Sequence, residues 1–330
     1  MSEPTILAIE TSCDETSVAI TKGRRILANI VSSQANLHRQ WGGVVPEAAA
    51  RAHVEAVLPT LSLATTSSGV ALAEVDIVAV TNRPGLVGAL SVGVSAAKAL
   101  AYTLDRPILP IHHLEGHVLS TLTDTDLTFP HVCLAVSGGH TEMILVHKPG
   151  HYESLGSTID DAAGEAFDKS ARLLGLSYPG GYELQELART GNASRYDLPR
   201  GLKGETTNFS FSGLKTAVLR LVQVEGSNLD RPSAAASIQR AIVTVLVERT
   251  VAAAERLGVS MVTLVGGVAA NESLRETLSA EATRAGIRVV VPPRELCTDN
   301  AAMIGLAAST RVSEAHRNFQ FETVPSASLT

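Results

Sequence analysis

The sequence of this 330-residue chain predicts an α/β fold of two lobes with duplicated topology. The first observation is a repeated plan: an apolar run, a small polar loop and a second apolar run. LAIETSCDETSVAI carries it across Ile6–Glu10, Thr11–Thr16 and Ser17–Ile20. LAVSGGHTEMILV carries it across Cys133–Val136, Ser137–Thr141 and Met143–Val146. Each copy reads as strand, loop, strand. The second observation is the unit that follows each copy. Asp76–Thr81 reads as a strand, Pro84-Gly85 as a turn and Val87–Leu104 as a helix; Val262–Val265 reads as a strand, Gly266-Gly267 as a turn, and a helix begins near Asn271. The third is length, which suggests about two domains. The division is placed after residue 110, with lobes over 1–110 and 111–330. The unpatterned end, from about Ser313 to Thr330, either frays or returns to the first lobe.

The remaining elements follow from local signals. Pro46–Leu61 is Ala-rich and starts on a proline suited to a first helical turn. Ala163–Leu174 stops at Gly175, and Ser233–Leu257 stops at Gly258, as helices do before a left-handed residue. Gly180–Tyr182 and Gly201–Ser212 read as loops. Hydrophobic residues make up 45% and aromatics only 4%, so the core must rest on Ala, Val, Leu and Ile.

Composition also limits function. The formal net charge is −6, so the chain as a whole is not a basic nucleic-acid binder. Cys13, Cys133 and Cys297 are odd in number and widely spaced, which suggests neither a metal knuckle nor a disulfide framework and fits a reducing compartment. MSEPTILAIE shows no basic region followed by an apolar one, and Ala89–Leu104 contains Lys98 and small polar residues. The expectation is a cytoplasmic protein without a leader or a membrane span.

Three segments could carry chemistry. In His112-His113-Leu114-Glu115-Gly116-His117, His113 and His117 are four apart, so a helix places both on one face, able to share an ion. Two satisfied histidines are the plain alternative. The zinc-protease pattern HExxH needs Glu directly after the first His, and Glu115 is two residues on. Asp299 either caps the helix that follows or supplies the carboxylate of a two-histidine, one-carboxylate site. Ser137-Gly138-Gly139-His140-Thr141 offers backbone N–H groups in a tight turn that suits phosphate oxygens, and Gly266-Gly267 lets a flat ring approach the backbone. Neither loop is a P-loop, and no Rossmann fingerprint follows a strand. Four acids crowd Asp160–Lys169, where a helix dipole accommodates acids at its start. Asp168 lies deeper in the helix and could accept hydrogen bonds from a ribose, with the Pro179-Gly180-Gly181 turn beside the same sugar.

At these residues the chain resembles the TsaD family of tRNA N6-adenosine threonylcarbamoyltransferases, once labelled O-sialoglycoprotein endopeptidases. The matching segments are IETSCDET ending at Thr16, GGVVPEAAARAH at Gly42–His53, PGLVGAL at Pro84–Leu90 and HHLEGH at His112–His117. VSGGHT at Val136–Thr141, DDAAGEAFDK at Asp160–Lys169, YPGG at Tyr178–Gly181 and FSFSGLKT at Phe209–Thr216 follow in order. GGVAAN at Gly266–Asn271 and CTDNAAMIG at Cys297–Gly305 complete the set.

The resemblance implies an actin/Hsp70/sugar-kinase-like (ASKHA) fold. It implies His113, His117 and Asp299 as ligands of one divalent metal ion per subunit, Fe2+ first and Zn2+ second. It implies that Ala135, Val136, Ser137, Gly138 and Gly139 hold the substrate's phosphate end, Asp168 and Gly181 its ribose, and Asn271 its adenine. The implied reaction moves the threonylcarbamoyl group from threonylcarbamoyl-AMP to N6 of adenosine 37, in tRNAs reading codons that begin with adenine. TsaB-like and TsaE-like proteins are the implied partners, beside tRNA. Asp14 and Glu15, on the first hairpin loop, are the candidate bases near the attacking amine. An ASKHA-type kinase or ATPase and a metalloprotease are the alternative activities. The chain departs from the family pattern at Arg83, where Gly is usual, at Tyr182, where Pro is common, and at Gln185, where Asp is frequent.

Overall fold

A computed structural model describes residues 3–123 and 127–330. Met1 and Ser2, where the stretch read for a leader begins, lie outside the described residues. The first unit's sheet contains β1 (Thr5–Glu10), β2 (Glu15–Lys22), β3 (Arg25–Ser33), β4 (Ile77–Arg83) and β5 (Ile108–His112), in the order β3-β2-β1-β4-β5. The second unit's sheet contains β6 (His131–Val136), β7 (Thr141–Lys148), β8 (His151–Ser157), β9 (Met261–Val265) and β10 (Arg288–Val290), in the order β10-β9-β6-β7-β8. β1, β2 and β3 pair antiparallel, while β1, β4 and β5 pair parallel. β6, β7 and β8 repeat the first pattern and β6, β9 and β10 the second. The connectivity is the same position for position, so the duplicated topology read from the sequence is present.

The chemistry of the strands explains this order. β1 and β6 are buried at all six positions and apolar along their middles, as strands covered on both faces must be. Each is the central strand of its sheet, and each ends in the hairpin loop that the sequence singled out. Pairing in the first hairpin ends at Glu10 and Ser17, and in the second at Val136 and Thr141. The intervening small polar residues are thereby held at the end of a rigid, buried strand.

The helices are α1 (Ala35–Arg39), α2 (Pro46–Ser68), α3 (Val87–Thr103), α4 (His113–Leu119) and α10 (Ala301–Ser309) in the first unit, and α5 (Ala163–Leu173), α6 (Gly180–Ala188), α7 (Ser212–Glu225), α8 (Arg231–Leu257) and α9 (Glu272–Arg284) in the second. Pro46 opens α2, and Gly258 ends α8 in the left-handed region at φ 64°. α3 buries one face through Ala89, Leu90, Val94, Ala97 and Ala101, and leaves Val87 and Tyr102 exposed. Among the described residues no helix is long and apolar enough to cross a membrane. The cores are aliphatic, with Leu7, Ile9, Val78 and Ile108 in one unit and Leu134, Val136, Ile242 and Leu264 in the other.

Three differences from the sequence reading have physical causes. The units are 1–127 with 298–330, and 128–297, where the sequence reading set one division at 110. β5 hydrogen-bonds to β4 and runs straight into α4, so the histidine segment belongs to the first unit; α10 packs on β1 and β2, which brings the chain's end there too. The expected loop at Gly180–Tyr182 is the first turn of α6, because the Asp168 carboxylate accepts the N–H groups of Gly180 and Gly181 at 2.8 and 3.1 Å. Strands β3, β5, β8 and β10 carried no sequence signal strong enough to be read.

Gly266 stands at φ 90° and ψ 169°, and a Cβ there would lie 2.3 Å from the Val136 carbonyl oxygen. The glycine is required by close approach to β6. Gly266→Ala should therefore cost about 2–3 kcal/mol in a urea titration, whereas Gly267→Ala, which meets open space, should stay within about 0.5 kcal/mol of the parent. Equal losses in the two variants would contradict this assignment.

Candidate active site

The first unit assembles the histidine pair. β5 ends at His112 and α4 starts at the next residue, so the helical spacing aligns His113 and His117. Asp299 precedes α10. Its Oδ1 lies 3.1 Å from His117 Nε2 and 3.5 Å from His113 Nε2. One ligand atom from each of the three residues falls within 4.8 Å of the others. The cap of α10 is Asn300, whose Oδ1 accepts the Met303 N–H at 3.1 Å while its Nδ2 donates to the Thr298 carbonyl at 2.8 Å. The carboxylate of Asp299 is therefore not used as the cap and faces the histidines.

Three residues that the sequence reading missed support this set. Glu10, fully buried at the end of β1, places Oε2 3.2 Å from His113 Nδ1. The Thr81 hydroxyl donates to the same oxygen, and Glu10 Oε1 accepts the Ser12 N–H at 2.5 Å. Ser12 Oγ lies 3.1 Å from His113 Nδ1. A carboxylate behind one ring nitrogen orients the imidazole and leaves the other nitrogen for an ion. Among the described residues His117 Nδ1, buried, has no such partner.

Electrostatics favour positive charge at this point. Burial alone would lower the His113 imidazole, but Asp299 and Glu10 outweigh it and hold His113 well above the usual histidine range. Burial would raise both carboxyls, yet His113 pulls Glu10 below its ordinary value, and His113 with His117 pull Asp299 well below it. The two carboxylates thus favour positive charge at His113, which a divalent ion bound there also supplies. Two imidazole nitrogens and one carboxylate oxygen, converging and mostly buried, fit such an ion.

The hairpin loop adds further acids. Asp14 is buried, and Glu15 is pushed up to about 9, first by burial and then by the charges of Asp14 and Asp299. Cys13 is raised by burial and by the same two carboxylates. Glu115 is buried and paired with Arg311 at 2.7 Å, a structural ion pair rather than the general base that a protease would need. Arg83 donates to the Asn82 side chain at 2.8 Å, beside the Pro84-Gly85 turn.

The second unit holds the proposed adenylate residues. Ala135 and Val136 end β6, and the loop closes with Ser137 N–H donating to the His140 carbonyl at 2.8 Å. The Ser137 hydroxyl accepts the His140 N–H at 3.1 Å. Among the described residues the N–H groups of Gly138 and Gly139 donate to none, and a Cβ at either glycine would meet nothing within 4 Å. Gly164, whose Cβ would lie 2.5 Å from the Ser137 carbonyl, lets α5 pack under the loop. Asp168 and Gly181 are brought together by the bond that starts α6. Asn271 caps α9, its Oδ1 accepting the Leu274 N–H at 2.9 Å and its Nδ2 donating to Gln239 at 2.9 Å. Gln185 accepts the Glu272 N–H at 2.9 Å, and Tyr182 is exposed. The acids of 160–169 have separate tasks. Asp160 accepts the Phe211 and Ser212 N–H groups at the start of α7, and Asp161 and Glu165 pair with Lys169.

Duplicated five-stranded sheets with helices, one unit carrying a two-histidine, one-carboxylate cluster and the other an open amide loop, define an ASKHA-type protein with a candidate metal centre. Solved structures agree on the fold. A full-length HypF matches with a TM-score of 0.63 at 14% identity, over 94% of this chain and 47% of that one. Component A of the Acidaminococcus fermentans (R)-2-hydroxyglutaryl-CoA dehydratase matches with a TM-score of 0.57 at 17% identity, over 94% and 99%. The sequence is far more specific. The TsaD profile, tRNA N6-adenosine threonylcarbamoyltransferase, matches residues 25–306. Proteins of that name from Symbiobacterium thermophilum and Moorella thermoacetica are 54% and 51% identical, each covering 93% of this chain, with 91% and 92% of their own lengths matched. The chain belongs to the TsaD family of tRNA N6-adenosine threonylcarbamoyltransferases. It is an acyltransferase of that family, and neither a kinase-like nor a protease activity is favoured.

The geometry separates Asp299 from its neighbour. Asp299→Asn should weaken Zn2+ uptake in equilibrium dialysis more than about 100-fold, beyond the loss caused by an outer-shell change. Asn300→Ala should lower stability by about 1 kcal/mol in a denaturant titration. Undiminished ion uptake by the Asp299 variant would contradict the ligand set.

Proposed function

We propose that this chain transfers the threonylcarbamoyl group from threonylcarbamoyl-AMP to N6 of adenosine 37 of tRNAs reading codons that begin with adenine. The observation that carries this reading is the convergence of His113, His117 and Asp299 in a chain whose family membership spans both units. The exocyclic amine of adenine is a poor nucleophile, because its lone pair is delocalised into the ring. The acyl donor must therefore be oriented, and the departing phosphate stabilised.

His113, His117 and Asp299 would hold one divalent ion, Fe2+ in preference to Zn2+, and such an ion supplies Lewis-acid polarisation of substrate oxygens. Glu10 and Ser12 fix the His113 ring so that Nε2 is directed at the ligand point. The Gly138 and Gly139 N–H groups meet the phosphate, and they stabilise its negative charge as AMP leaves. Asp168, with Gly181, lies on the ribose side and Asn271 on the adenine side. Asp14 accepts the proton released by the amine, while Glu15, protonated at neutral pH, donates a hydrogen bond beside it.

The partner reading rests on charge and on surface. With a net charge of −6 the chain attracts a polyanion weakly, so TsaB-like and TsaE-like subunits complete the tRNA-binding surface in the cytoplasm. Val54, Leu58 and Leu63 on α2 and Val87 on α3 are each more than half exposed, which suits a protein partner on the first unit.

Purified chain with both partners, threonylcarbamoyl-AMP and tRNA should release AMP and label adenosine 37, and His117→Gln should reduce the rate at least about 100-fold. Label at any other nucleoside would contradict the proposal. Gly138→Val should fold normally, since its Cβ meets open space, yet bind AMP about tenfold or more weakly in calorimetry by crowding the loop amides. Unchanged affinity would remove the cradle. In filter binding at several salt concentrations, the isolated chain should bind tRNA weakly and gain affinity with the partners; tight, steeply salt-dependent binding by the chain alone would refute the partner reading.

A further inference from the structure

The last residues of the chain follow a path that the reaction scheme leaves unused. Beyond α10 the backbone returns along the first sheet. His316 and Ile108 exchange backbone hydrogen bonds at 2.9 and 3.2 Å. Phe319 and Phe321 pack on the first unit's aliphatic core, and Lys98 Nζ donates to the Phe321 carbonyl at 2.6 Å while lying over its ring. This half of the segment is an apolar anchor.

The next half makes hydrogen bonds that converge on the ligand set. Asn82 Nδ2 donates to the Glu322 carbonyl at 3.0 Å, and the Val324 N–H donates to the Asn82 carbonyl at 2.9 Å. The Gly85 N–H donates to the Pro325 carbonyl at 3.1 Å. The 82–86 turn held in this way touches Ser12: the Leu86 N–H donates to the Ser12 carbonyl at 2.8 Å, and a Cβ on Gly85 would lie 2.6 Å from that oxygen. Ser12 in turn contacts His113 Nδ1.

A second route is shorter. His112 Nδ1 accepts the Leu114 N–H at 3.2 Å, capping α4, so in the neutral ring the proton sits on Nε2. Nε2 lies 3.2 Å from the Ala327 carbonyl, which accepts it. The chain's end thereby fixes both the tautomer and the orientation of the residue adjoining His113, and through the cap it fixes the start of α4.

We propose that the segment Glu322–Ala327 is a positioning strap, which orients His113 from two sides, through His112 and through the 82–86 turn with Ser12. This rests on the reading of His113, His117 and Asp299 as ion ligands. The strap acts on the precision of the ligand set and not on the stability of the unit, since the apolar anchor at Phe319 and Phe321 lies before it.

Cobalt(II) is the probe, titrated into the metal-free chain against a competing chelator and followed by its visible absorption. A chain ending at Phe321 should melt close to the full-length protein. It should bind cobalt about 10–100-fold more weakly, the range typical of lost outer-shell support, with an altered absorption band. A chain ending at Ala327 should match the full-length protein in all three readings. His112→Phe keeps the strap's own residues and removes both the Ala327 bond and the α4 cap that run through this ring, and it too should weaken cobalt binding and shift the band. Parent affinity and spectrum in His112→Phe would overturn the proposal even if the shortened chain failed to fold. Full-length protein that takes up no cobalt would overturn the ion reading and the strap together. Tight binding by full-length and shortened chains alike would overturn the strap alone.

Discussion

The carboxylate of Asp299 sits against two histidines in a pocket that excludes most water, and much of the first unit is arranged to hold it there. Three charged or chargeable groups so placed are costly unless positive charge is supplied between them. Glu10 raises that demand from behind His113, where a neutral residue would relieve it. The fold meets the geometric side of the requirement with rigid parts. β1 carries Glu10, β5 and α4 carry the histidines, and α10 packs on β1 and β2 to deliver Asp299. A site built on strand ends and helix starts keeps its spacing better than one built on loops alone.

The duplicated topology gives the two units related frames and different chemistry. In both, a buried central strand ends in a hairpin loop of small polar residues. In the first unit the loop carries side chains: Ser12 turns to His113, and Asp14 and Glu15 add carboxyl groups. In the second unit the corresponding loop carries glycines, and what it presents is backbone N–H. One hairpin thus presents side chains beside the histidine pair, and the other presents backbone N–H groups, which suits the division of labour that the proposed adenylate-dependent transfer would need.

Much of this was legible in the sequence, and the remainder was hidden for definite reasons. The paired hairpins, Pro46 at the start of α2 and Gly258 at the end of α8 are local signals, and local signals survive folding. The spacing of His113 and His117 was readable because a helix fixes it. Asp299 could not be told from a cap by sequence spacing, because adjacent Asp299 and Asn300 both suit that role; only the fold shows that Asn300 takes it. Glu10 and Ser12 were invisible as supporting residues, since one closes an apolar strand and the other sits in an ordinary polar loop. α6 was read as a loop because its first turn is held by Asp168, twelve residues earlier. The division near residue 110 missed that β5 belongs to the first sheet, a fact of strand pairing that no single stretch encodes.

The central claim is that this chemistry ends on one atom of tRNA. The most direct measurement is mass analysis of tRNA nucleosides from cells depleted of this protein. The account predicts that N6-threonylcarbamoyladenosine disappears while unmodified adenosine takes its place at position 37, and that it returns with the parent gene but not with one encoding Asp299→Asn. Undiminished N6-threonylcarbamoyladenosine after full depletion would contradict it.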